Sequence, residues 1–177
     1  MAKKQPVDQR TRIERRNKEF QSWLESNPGK KFSDFYVSKV TAQLKRGQPH
    51  ATIGGNLKGE LGFDESGKQS LETLIQLGLE PGHVCVDYGC GSLRIGQHIM
   101  QFLEPGRFWG LDITDAFYNE GLELLDQDMV DCCKPNLRVI SSEAVKEVAE
   151  ARPDFLIAQA VLIHVPPDEV DEFWDNL

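Results

Sequence analysis

In the run VCVDYGCGSLRIG, Asp87 precedes two glycines, Gly89 and Gly91, and the FWGLDIT segment that follows carries a second acid, Asp112. Glycines at the carboxyl end of a strand let the chain turn tightly and bring backbone close to a ligand with no Cβ in the way. An acid closing the next strand can accept hydrogen bonds from both hydroxyls of a ribose. A GxG alone is weak evidence. Joined to a strand-end acid in the adjacent βα unit, it points to a ligand that contains a nucleoside.

The ligand's charge follows from what stands around the glycines. A dinucleotide fingerprint needs a third small residue for close helix packing, and here that position is Arg94. Asp87 adds negative charge where a pyrophosphate would sit. No G-x-x-x-x-G-K-[ST] run is present for a nucleoside triphosphate. These features fit a cofactor with a cationic head and no phosphates.

The elements that position these residues can be read from apolar periodicity. After Pro81, short apolar runs alternate with helical patterns, the signature of βαβ units on a parallel sheet. The strands are expected at His83–Tyr88, Arg107–Ile113, Leu137–Ser141 and Asp154–Ala160. Between them, Ile95, Ile99, Phe102 and Leu103 mark one helix, and Phe117, Gly121, Leu124 and Leu125 a second. Val145 and Val148 mark a short third, and Val170, Phe173, Trp174 and Leu177 open a last one. Upstream, a helix is expected from about Asp8 to Glu25, and another from Ser33, as N-cap, to Gly47. The glycine-rich stretch from His50 to Gly67 reads as a loop or lid. Leu71, Leu74 and Ile75 then give a helix closed by Gly78 and Pro81. This divides the chain into a helical extension with a glycine-rich lid, 1–66, and a cofactor-binding Rossmann-like domain, 67–177.

Composition narrows the class. The chain has 177 residues, 40% hydrophobic and 27% charged, as expected of a soluble globular protein. No apolar run approaches the roughly 20 residues of a membrane span, and the start lacks the apolar core of a secretory signal. Four cysteines without paired Cys/His spacing give neither a disulfide scaffold nor a metal site, and suit buried or idle thiols in a reducing cytoplasm. Charge is uneven. Up to Gly47, twelve Lys/Arg against five Asp/Glu give +7, while the remainder carries eight against twenty-three, or −15. The basic arm suits either a solvated helix or an acidic partner such as nucleic acid, and the acidic body should repel phosphate backbones.

On VCVDYGCGSLRIG, FWGLDIT, RVISSEA and DFLIAQAVLIHVPPDEV, the chain from about Ser66 to Trp174 resembles the class I S-adenosylmethionine-dependent methyltransferases. The resemblance implies that Asp87, Gly89 and Gly91 lie under the methionine part of the cofactor, with Asp87 reaching its ammonium through water. It implies that Asp112 holds the ribose and that Glu143, beside Ser142, lies near the adenine amino group. Gln159 and Ala160 would flank the methionine portion near the sulfonium. Two departures stand out. The family's usual third loop glycine is Leu93 here, and the three further strands with which the fold normally continues do not follow the fourth. The second departure suggests a fragment with an exposed apolar sheet edge.

The expected activity is methyl transfer to an oxygen or nitrogen nucleophile of a small molecule or sugar. An RNA or protein acceptor held by the basic arm and a non-catalytic cofactor-binding relic are the alternatives. His164, just after the fourth strand, is the candidate base, while His50 and Tyr36 are weaker candidates for the mouth of the site. The Gln159-Ala160-Val161-Leu162 run replaces the Asn/Asp-Pro-Pro-Tyr type of motif that would suit base or glutamine N-methylation.

Overall fold

The computed structural model describes residues 9–47 and 61–175. They fall into two compact units, the first ending at Lys39 and the second beginning at Val40. In the first, α1 (Gln9–Ser26) and the start of α2 (Phe32–Leu44) meet through aromatic rings. Phe20 contacts Phe32 and Phe35 with ring centroids 5.2 and 5.5 Å apart, and Trp23 packs on Phe35. Arg16 and Lys39 lie over the rings of Phe32 and Phe35, and Lys39 pairs with Glu19 at 2.8 Å. The α2 helix begins one residue before Ser33, the expected cap. Asp34 closes that end instead, accepting the Lys31 N–H at 2.9 Å, which satisfies an orphan donor of the first turn.

The second unit is built on four parallel strands: β1 (Cys85–Tyr88), β2 (Phe108–Asp112), β3 (Asn136–Val139) and β4 (Phe155–Ile157), in the order β3-β2-β1-β4. Side chains alternate across the sheet, so Cys85 and Phe108 face one apolar cluster while Val86, Tyr88 and Leu111 face the other. The first cluster is completed by α3 (Leu61–Gln76) and α4 (Gly96–Phe102) through Leu74, Ile99 and Met100. The second takes Ala144 and Val148 from α7 (Ser142–Ala151) and Phe173 from α8 (Val170–Asp175). Strand β1 is buried along its whole length, as a central parallel strand must be.

Several elements differ from the sequence reading, each for a local reason. The stretch read as a loop up to Gly67 is helical from Leu61 onward, and the 66/67 boundary falls inside α3. Gly67 serves close packing there: a Cβ on it would lie 2.3 Å from the Arg94 carbonyl oxygen. The single helix expected after β2 is two, α5 (Asp115–Leu122) and α6 (Gln127–Cys133), because Asp126 caps a new start by accepting the Met129 N–H. Ser141 leaves the third strand to cap α7, accepting from Ala144 N. Strand β4 stops at Ile157, and Ala160, at φ 60°, is outside extended geometry altogether. Residues 48–60, including His50, lie outside the described residues.

Candidate functional site

The carboxyl ends of β1 and β2 are joined by backbone hydrogen bonds. Gly89 N and Cys90 N both donate to the Leu111 carbonyl, at 2.7 and 3.0 Å. Gly91 N donates to Asp112 Oδ2 at 2.7 Å, and Ile113 N to Asp112 Oδ1 at 2.8 Å. Ile140 N donates to the Asp112 carbonyl, drawing in the end of β3. A carboxylate offers about four lone-pair sites. Asp112 therefore holds the glycine loop in place and still has acceptor capacity for a ligand.

Two carboxyls are buried together here. Asp112 is 6% exposed and Asp87 is 3% exposed. Burial pushes the Asp112 carboxyl up to about 6, although the N–H groups of Gly91 and Ile113 pull the other way. Burial, followed by repulsion from Asp112, pushes Asp87 up to about 7, with Arg94 opposing. Removing charge from water costs energy until an opposite charge arrives, so the pair favours a cationic ligand.

The loop's backbone is tightly constrained. Gly89 sits at φ 84°, where a Cβ would come 2.4 Å from Val161 Cγ2, and Gly91 sits at φ 54°. Leu93 also holds left-handed geometry, at φ 60°, and is fully buried. A side chain there costs about 1–2 kcal/mol in backbone strain. Burying leucine contributes about 1.5–3 kcal/mol, enough to offset it. Cys85 at the start of β1 and Cys90 in the loop are both buried, and burial pushes Cys85 up to about 12 and Cys90 well above the usual thiol range, which disfavours their thiolate forms.

The remaining residues singled out in the sequence lie on other elements. Ser142 and Glu143 are exposed in the first turn of α7, beyond β3, where an acid also favours the helix start. Gln159 and Ala160 are exposed after β4. His164 is half-buried in the next turn, its N–H donating to the Val161 carbonyl at 2.8 Å. Tyr36 stacks on Phe32 in the first unit, a packing role.

Sequence reasoning missed the part played by α3. Arg94 Nη1 donates to Ser66 Oγ at 2.7 Å, and Ser70 Oγ donates to Gln159 Oε1 at 3.0 Å. Ser66 and Ser70 are four residues apart on one helix face; that spacing was the available signal, obscured by reading the first of them as part of a loop. Among the described residues, no cluster of three or more His, Cys, Asp or Glu could hold a metal ion, and no helix is long and apolar enough to cross a membrane.

No protein-family model matches the chain, and no curated protein matches it by sequence. Among solved structures it is similar to magnesium protoporphyrin IX methyltransferase (ChlM) from Synechocystis PCC 6803 with bound SAM. The TM-score is 0.61 at 15% identity, over 84% of this chain and 71% of that one. The structure of the same enzyme with bound SAH gives a TM-score of 0.55 at 19% identity, over 81% and 63%. The chain has a Rossmann-like methyltransferase fold. Its β3-β2-β1-β4 sheet, with helices on both faces, is the part of that fold described above.

Proposed function

We propose that this chain is an S-adenosyl-L-methionine-dependent methyltransferase that transfers a methyl group to an oxygen or nitrogen nucleophile of a small molecule or sugar. The observation that carries the reading is the joined end of β1 and β2, where left-handed Gly89 and Gly91 adjoin the buried carboxyls of Asp87 and Asp112. The donor set fits this cofactor. Asp112 keeps lone pairs for a ribose diol, Asp87 offers a carboxylate to an ammonium group, and the buried negative charge opposes a pyrophosphate. Glu143 and Ser142, in the first turn of α7, would lie near the adenine amino group, and Gln159 and Ala160 would flank the methionine portion.

When bound, the cofactor supplies a methyl group on a sulfonium sulfur, primed for in-line displacement. The work left to the protein is alignment and proton transfer, and alignment alone carries much of such a barrier. His164 accepts the proton of the acceptor hydroxyl or amine on a ring nitrogen. The similar solved enzyme is named for a small molecule, magnesium protoporphyrin IX, which favours a small acceptor, as does the acidic body, which repels phosphate backbones. The +7 arm up to Gly47 supports a second reading, an RNA or protein acceptor. Acceptor binding with a steep salt dependence would favour RNA.

The test is calorimetric titration of the full chain with S-adenosylmethionine, beside NAD and ATP. Selective binding is expected, weakened about 100-fold by Asp112→Ala, as two hydrogen bonds to a charged group imply. Binding of NAD or ATP in preference, or an unchanged affinity in the variant, would reject the reading.

A further inference from the structure

Arg94 is the basic side chain of the loop beside the two buried acids of β1 and β2, and its position is specific. Its guanidinium is half-buried and fixed by Ser66 of α3 at 2.7 Å. One turn along the same helix, Ser70 reaches Gln159 beyond β4. The pairs Arg94–Ser66 and Ser70–Gln159 therefore span from the end of β1 to the end of β4, across the crevice where the amino-acid end of the cofactor would lie. The backbone of α3 is pressed against this loop, since a Cβ on Gly67 would collide with the Arg94 carbonyl and the His98 ring. The field of Arg94 also reaches Asp87, opposing the rise in its carboxyl.

A free amino acid end is a zwitterion, with an ammonium and a carboxylate on one carbon. A site selective for it needs an acid and a base side by side, and a guanidinium is the side chain whose planar fork matches a carboxylate. Asp87 supplies the acid. We infer that Arg94, held by Ser66, binds the α-carboxylate of the cofactor and makes the site selective for ligands that carry one. This rests on the cofactor reading above. It assigns α3 a binding role, because Ser66 orients the guanidinium that the carboxylate meets. It also accounts for a bulky basic residue where a dinucleotide site would need a small one.

The experiment compares S-adenosylmethionine with its decarboxylated form, which keeps the adenosine, sulfonium and ammonium and lacks only the carboxylate. Calorimetry on the full-length wild-type chain is expected to show the decarboxylated form binding about tenfold or more weakly, the loss of one charge-assisted hydrogen-bonded pair. In Arg94→Met that preference should fall to within about threefold, and Arg94→Lys should restore part of it. Equal wild-type affinity for the two ligands would overturn the inference without any variant. So would a folded Arg94→Met that weakens both ligands alike, the mark of a purely structural tie between the loop and α3. A wild-type chain that binds neither ligand would instead reject the cofactor reading itself, and the carboxylate assignment with it.

Discussion

Leu93 and Ala160 both hold their backbones at φ 60°. Leu93 follows the glycines after β1 and is fully buried in the apolar cluster under the loop; Ala160 follows β4 and is exposed. The same strain is thus held in two different ways. At the β1 end it is locked by a side chain packed into the core and by the hydrogen bonds that Asp112 accepts. At the β4 end it rests on a strand of three residues, with Leu156 40% and Ile163 72% exposed nearby. On the proposed function, the β1 end is a preorganised wall of the cofactor site, whereas the β4 end is held by less of the core.

Replacing each residue by glycine separates the two cases. Leu93→Gly relieves strain but empties a fully buried site, and is expected to destabilise the chain by about 2–4 kcal/mol in urea unfolding. A neutral or stabilising result would mean that the side chain does not hold the loop.

A second effect is expected from pH, on the β1 side alone. Asp87 and Asp112 are raised from 3.8 to about 7 and about 6 by burial. Between about pH 4 and 7 the folded chain therefore binds more protons than the unfolded one, and the contribution of these groups to stability falls as pH rises through that window. Asp87→Asn should flatten the slope. Affinity for a cationic cofactor should run the other way, rising about tenfold or more from pH 5 to 7 as both carboxyls ionise. Titrations that show no such rise would separate the buried acids from cofactor binding.

The smallest change is expected at the open side. Ala160→Gly removes strain at an exposed position and should stabilise the chain by about 0.5–1 kcal/mol, after allowing for the greater freedom of glycine when unfolded. Destabilisation would show that the Ala160 methyl group makes a contact of its own.

The contrast also decides what could be read from sequence. The central strands announced themselves through apolar runs, and Asp87, Gly89, Gly91 and Asp112 through their spacing, because local geometry at a strand end is encoded by the residues that occupy it. The start of α3 was hidden because glycine marks turns and close helix packing alike, and only the fold shows that Gly67 serves the second. Helix starts at Lys31, Asp126 and Ser141 depend on which of several polar side chains reaches a backbone N–H. The Arg94–Ser66 and Ser70–Gln159 bonds join residues far apart in the chain, which periodicity cannot report.

The most direct measurement is a crystal structure of the full chain grown with S-adenosylhomocysteine. The account predicts the nucleoside at the carboxyl ends of β1 and β2, its ribose hydroxyls on the Asp112 carboxylate and its amino-acid end between Asp87 and Arg94. Ligand bound elsewhere on the molecule, with Asp112 contacting only Gly91 and Ile113, would contradict it.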